Sequence, residues 1–153
     1  MLKIIVDADA CPVKDIIEEL AQANQLEVIM VSNINHLIAS QYAKIVVVDG
    51  ASEAADIAIV NLTRRGDIVV TQDYGLASMV LVKGSYALDP LGHQYTETNI
   101  EGLLLSRFIN QKARRAGQRT GGPRKRNQGN DLRFRKRLQE IIKQAVDDGK
   151  SRE

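Results

Sequence analysis

Four runs of strand length are apolar almost without interruption: "LKIIV" at 2–6, "EVIMV" at 27–31, "KIVVV" at 44–48 and "DIVV" at 67–70. A strand with one wet face alternates apolar and polar residues, whereas an unbroken apolar run needs cover on both faces. Segments of helical period separate the four runs. Strand and helix therefore take turns, the pattern of a mainly parallel sheet enclosed by helices, and the chain is expected to form a three-layer α/β/α sandwich.

The connecting segments carry their own start and stop signals. Pro12 suits the first turn of a helix, where its missing N–H costs nothing, and Ile16, Ile17, Leu20 and Ala21 continue it to about residue 24. A short helix is expected over 35–42. Ser52 is placed to cap a helix over 53–65, with Ala55, Ile59 and Leu62 facing inward and Gly66 ending it. "YGLASMVLV" at 74–82 forms the next helix. "YALDPLGHQYT" reads as two short extended pieces around a turn, with Pro90 at its second position and Gly92 at its fourth. Thr98 and Glu101 form a capping box for a helix from Asn99 to about Ala113. The chain then divides into an α/β domain over 1–115, a basic Gly/Arg-rich linker over 116–130, and a C-terminal amphipathic helix and tail over 131–153. Leu132, Leu138, Ile141, Ile142 and Val146 are expected on one side of that helix.

Charge is distributed unevenly. Residues 1–106 hold 6 Lys or Arg against 14 Asp or Glu, and residues 107–153 hold 15 against 5. A basic tail on an acidic body points to a polyanion partner, because Lys and Arg displace condensed counterions from phosphates; the competing explanation is a tail that only maintains solubility. Arg114, Arg115, Arg119, Arg124, Lys125 and Arg126 are the tail residues expected to bind phosphate. Trp is absent and aromatics make up 4% of the chain, which argues against a base-stacking platform. Cys11 is the single cysteine, so no internal disulfide can form and a reducing cytoplasm is the expected setting. No run is long and apolar enough for a membrane partner. A homo-oligomer is left open.

Ligands of open parallel sheets bind beyond the carboxyl ends of the strands. "IIVDAD", "IVVVDG" and "IVVTQD" all end there in aspartate. Asp7, Asp9 and Asp73 are expected to converge, with Asp49 farther out, Asp56 one turn into the helix after the third strand, and Glu53 three residues before it. Any one of these acids is explained well enough as a cap or turn residue. Several together repel one another unless a cation or protons offset them, and all-oxygen donors suit Mg²⁺ or Mn²⁺.

"DADACPVK", the "SN" after the second strand, "ASEAADIAIV", "GDIVVTQDYGLA" and "GGPRKRNQGNDLRFRKRL" occur in this order. In these motifs the chain resembles, over nearly its whole length, the YaiI/YqxD family of bacterial proteins, whose fold is related to the PIN-like nucleases. The resemblance implies a PIN-like fold and a metal-dependent nuclease acting on phosphodiester bonds, with RNA as the expected polymer. By the PIN pattern Asp7 looks like the first metal-binding acid, Asp56 the helix acid and Asp73 the last, with Asp9 an additional ligand or water-orienting base. A glutamate that PIN domains carry between the first acid and the helix has only Glu53 or Asp49 near its place.

For a nuclease, Thr71, Ser32 and Asn33, with Gln72 beside them, are candidates to hydrogen-bond a phosphate, and Lys14 to neutralise developing charge. Two alternatives remain: a module that binds RNA or a ribonucleoprotein without cutting it, and a haloacid-dehalogenase-like phosphatase suggested by "DAD". The latter lacks a cap insertion and has the wrong interval to its last acid. Cys11 is expected to be a packed thiol, and His36 and His93 show no ligand spacing.

Overall fold

The structure, a computed structural model, describes residues 2–35, 38–51, 53–117 and 125–152. In chain order the elements are β1 (Lys3–Asp7), α1 (Lys14–Ala23), β2 (Glu27–Asn33), β3 (Lys44–Val48), α2 (Ala54–Leu62), β4 (Ile68–Val70), α3 (Tyr74–Val82), β5 (Tyr86–Leu88), β6 (Gln94–Tyr95), α4 (Glu97–Arg115) and α5 (Gln128–Ser151). The strands lie in the order β3-β2-β1-β4-β5-β6. Every neighbouring pair is parallel except β5 with β6. The chain is thus an α/β sandwich of three layers.

Strand alternation sends side chains to two separate cores. Ile4 and Val6 of β1, Val28 and Met30 of β2, and Val70 of β4 pack with α1 and α5. Ile5, Ile29, Val31 and Val69 point the other way, among α2, α3 and α4. Both faces are covered, which is why the strands need no polar side. At the amino end of the sheet, Asp67 is 1% exposed and fully engaged: Lys3 Nζ donates to it at 2.6 Å, Lys3 N at 3.2 Å and Arg64 N at 2.8 Å. No helix of the described residues is long and apolar enough to cross a membrane.

Four local expectations are corrected. The described part of 35–42 is not helical, because Ser40 Oγ accepts the amides of Tyr42 and Ala43 and closes a side-chain turn instead. α2 stops at Leu62 rather than residue 65: Thr63 Oγ1 donates to Ile59 O at 2.7 Å and its backbone turns extended. Ser52, proposed as that helix's cap, lies outside the described residues, as does His36. The capping box of α4 is Thr96 with Asn99, not Thr98 with Glu101, since β6 ends at Tyr95 and the chain must turn out of the sheet there. On α5, Leu132 is 67% exposed and Phe134 is fully buried, with Leu138, Ile141, Ile142 and Ala145 completing the buried stripe.

The turn between β5 and β6 runs as read from the sequence, Gly92 N donating to Asp89 O at 3.1 Å. Gly92 has φ +90°, and a Cβ there would stand 2.9 Å from the backbone carbonyl of Arg133 in α5. Left-handed strain and this close approach act together, so Gly92→Ala is expected to lose about 2 kcal/mol in urea unfolding; a loss below about 0.5 kcal/mol would mean that turn and helix part easily.

Candidate functional site

The strand order has one reversal. β1 connects outward to β2 on one side, while its neighbour β4 connects outward to β5 on the other. Crossovers leave in opposite directions on opposite faces, and a crevice opens between the carboxyl ends of these two strands. Asp7 ends β1, and Thr71, Gln72 and Asp73 follow β4.

Thr71 ties this crevice together. Its hydroxyl donates to Asp7 Oδ2 at 2.9 Å and accepts from Asp73 N at 3.0 Å. Its carbonyl accepts from the Tyr95 hydroxyl at 3.1 Å. Asp73 Oδ1 in turn caps α3 by accepting from Leu76 N at 3.1 Å, and Arg107 Nη1 of α4 stands 3.5 Å from the same oxygen. Both oxygens of Asp9 accept from Asn33 N at 3.0 Å, fastening the loop after β1 to the end of β2. Asp56 arrives half-buried in the first turn of α2 and makes no hydrogen bond among the described residues.

The carboxylates feel one another. Burial pushes the Asp7 carboxyl above its ordinary range, the Thr71 hydroxyl partly offsets this, and the charges of Asp73 and Asp9 push it further up. Asp56 is raised by burial first, then by Asp73, Asp7 and Glu53. The contrast with Asp67 is informative. That acid is the more buried, yet three donors surround it, whereas Asp7 has the Thr71 hydroxyl and like-charged neighbours.

The expected phosphate-binding residues fare differently. Lys14 Nζ donates to Ala8 O at 3.2 Å and Cys11 O at 3.1 Å, clamping the loop after β1. Gln72 Nε2 reaches Ala10 O at 3.0 Å. Asn33 is spent on Asp9 and on Asn35 N. Ser32 is fully buried, and its hydroxyl has no partner among the described residues. Arg126 pairs with Asp131 at 2.7 Å, and Lys125 lies exposed, lining a cleft together with Gln72 and Tyr74. Arg119 and Arg124 lie outside the described residues. Cys11 is buried and its thiol pushed up chiefly by that burial, as befits a packing residue. Asp49 accepts from Ala51 N, a turn role.

Among the described residues no three Asp, Glu, His or Cys side chains form a ready-made metal cage. The oxygen-only donor set fits a hydrated hard cation that takes one or two carboxylates and leaves other positions to water and phosphate oxygens. Arg107 escaped sequence reading because it lies 34 residues from Asp73 with no local pattern linking them. A cleft of ≈ 760 Å³, lined by Gln72 and Tyr74 on either side of Asp73 in sequence, also draws on His93 and Arg133, which only the packing of α5 on the β5–β6 turn brings together.

A family model described as "Uncharacterized BCR, YaiI/YqxD family" matches residues 5–144. The chain is 47% identical over 141 residues to a UPF0178 protein of Clostridium kluyveri, covering 92% of this chain and 93% of that one. It is 48% identical over 144 residues to a UPF0178 protein of Natranaerobius thermophilus, covering 94% and 97%. Among solved structures it is similar to Rae1 (YacP) from Bacillus subtilis, with 16% identity, a TM-score of 0.44, and coverage of 76% of this chain and 84% of that one.

Proposed function

The chain belongs to the YaiI/YqxD family, and we propose that it is a divalent-metal-dependent nuclease that hydrolyses phosphodiester bonds, with RNA as its preferred polymer. The observation that carries this reading is the gathering of like charges at the reversal of strand order, where Asp7 and Asp56 are raised by burial and by their acidic neighbours, with Asp73 and Asp9 beside them. A stable fold gains nothing from placing like charges there without a cation to offset them.

Asp7, with Asp56 or Asp73 completing the carboxylate set, would hold the Mg²⁺ or Mn²⁺ ion, the remaining positions going to water and phosphate oxygens. When bound, it supplies Lewis acidity toward the phosphate oxygens and the attacking water. Asp9, steadied by Asn33 N, orients that water and takes its proton. Thr71 fixes the orientation of Asp7 and the start of α3 together. The guanidinium of Arg107 and the cations at 125 and 126 draw the polyanion toward an otherwise acidic surface.

The test is a cleavage assay of the purified chain on short single-stranded RNA and DNA with Mg²⁺, Mn²⁺ or chelator. Cleavage is expected with either ion, none with chelator, and a loss of about 100-fold or more in Asp73→Asn. Absence of metal-dependent turnover removes the enzyme reading. The alternative, a non-catalytic RNA or ribonucleoprotein-binding module, draws on the Arg107–Asp73 contact, which already offsets one of the acids. Binding that persists without turnover would favour it.

A further inference from the structure

We propose that the groove between the β5–β6 turn and the amino-terminal half of α5 seats an unpaired nucleotide strand, one base lying on Tyr74 and the backbone running along Arg133 and Arg137. The proposal deepens, and rests on, the reading of the acids as a phosphodiester site. Two adjoining clefts, of ≈ 760 Å³ and ≈ 570 Å³, share Tyr74, Asp89, His93, Tyr95 and Arg133. The first reaches Gln72 and Lys125, and the second reaches Arg137. Gln72 and Tyr74 flank Asp73 in sequence, so the groove is lined by the segment that also carries one of the acids.

Its walls differ in chemistry. On one side, Arg133 and Arg137 stand one helical turn apart on α5, with Lys125 before them. Arg133 and Lys125 form no ion pair among the described residues, and the contact of Arg137 with Glu140 is an exposed pair at 3.4 Å, too weak to hold the guanidinium against a phosphate. On the other side, the single carboxylate of the turn is occupied: Asp89 accepts from Leu91 N at 2.8 Å, from His93 N at 3.0 Å and meets the His93 ring at 3.2 Å. The groove is therefore net cationic although the body that carries it is acidic.

Aromatics are scarce in the chain as a whole, but two of its four tyrosines meet in this groove. Tyr74 meets Tyr95 edge to face, with centroids 5.8 Å apart and planes at 68°. Tyr95 is 2% exposed, and its hydroxyl is bonded to Thr71, the residue that also holds Asp7 and Asp73. A base on Tyr74 would sit on a ring positioned by the same hydrogen-bond network as the acids. Bases inside a duplex already stack on one another, so an aromatic floor beside a cationic wall selects an unpaired strand.

Fluorescence anisotropy of short labelled oligonucleotides in chelator, where no turnover occurs, tests this. Tyr74→Leu is expected to weaken single-stranded RNA and DNA binding about 5- to 100-fold, while Tyr74→Phe stays within about twofold. Arg133→Ala with Arg137→Ala should flatten the slope of log affinity against log salt by roughly 1.5. Duplex should bind more weakly and be indifferent to Tyr74. Unchanged single-strand affinity in Tyr74→Leu, or polyglutamate competing as well as an oligonucleotide, overturns the proposal. Should Tyr74→Leu fail to fold, the exposed arginine pair decides, and an unchanged slope overturns it. Because binding is read without metal, loss of the nuclease reading and loss of this groove are separate results.

Discussion

Asp7→Asn is expected to make the protein more stable and much less active. The Asp7 carboxyl is raised by burial and by Asp73 and Asp9, so the folded state holds its proton more tightly than the unfolded chain does. A group of this kind lends its full stability below the ordinary aspartate value of 3.8 and loses it as pH rises through the raised folded value. Wild type in chelator should therefore weaken on the way to neutral pH through this group, and the variant should not. Asn can still accept the Thr71 hydroxyl, so the crevice keeps its shape. At neutral pH the variant should melt about 2–4 °C higher, the displacement that about 1 kcal/mol gives in a chain of this size, and the difference should close as pH falls toward that of a free carboxyl. Added Mn²⁺ should stabilise the wild type more than the variant, and metal-dependent cleavage should fall about 1,000-fold. A variant less stable than wild type in chelator at neutral pH, or stabilised equally by Mn²⁺, would count against ligation by Asp7.

Phe134→Ala is expected to have the largest effect on stability. Phe134 has no exposed surface and belongs to the core that contains Val6, Val70 and Leu88 of the sheet. Truncating a buried Phe typically costs about 3–5 kcal/mol through lost transfer energy and the cavity left behind. In a chain of this length that lowers Tm by roughly 10 °C or more. The unfolding should stay cooperative, because α5 fills the same core as α1 and the sheet rather than resting on a separate one. If the sheet melted at its original temperature while only helical signal was lost early, α5 would be an appendage. The neighbouring Arg133 adds a second readout: loosening this anchor should weaken oligonucleotide binding even below the melting transition.

The sequence by itself determined the layered α/β architecture, because an unbroken apolar strand such as "KIVVV" needs cover on both faces whatever its neighbours are. It also determined the β5–β6 turn, whose Pro90 and Gly92 are specified by local backbone geometry, and the acids at the strand ends, which follow from placing Asp7 and Asp73 after the strands. Caps and helix ends were less legible, since Thr96 or Thr98 could start α4 and only the exit from β6 chooses between them. Helical period already favoured Phe134, roughly 40° around α5 from Leu138, over Leu132, about 120° away, and the structure buries the former; tertiary structure alone decided that this stripe faces the sheet. It alone turned Ser32 into the core. It alone set Arg107 beside Asp73, Tyr74 on Tyr95, and Arg133 against the turn of Gly92. Local propensity acts over a few residues, whereas these contacts span dozens; they exist only once strand order has brought distant segments to the same end of the sheet.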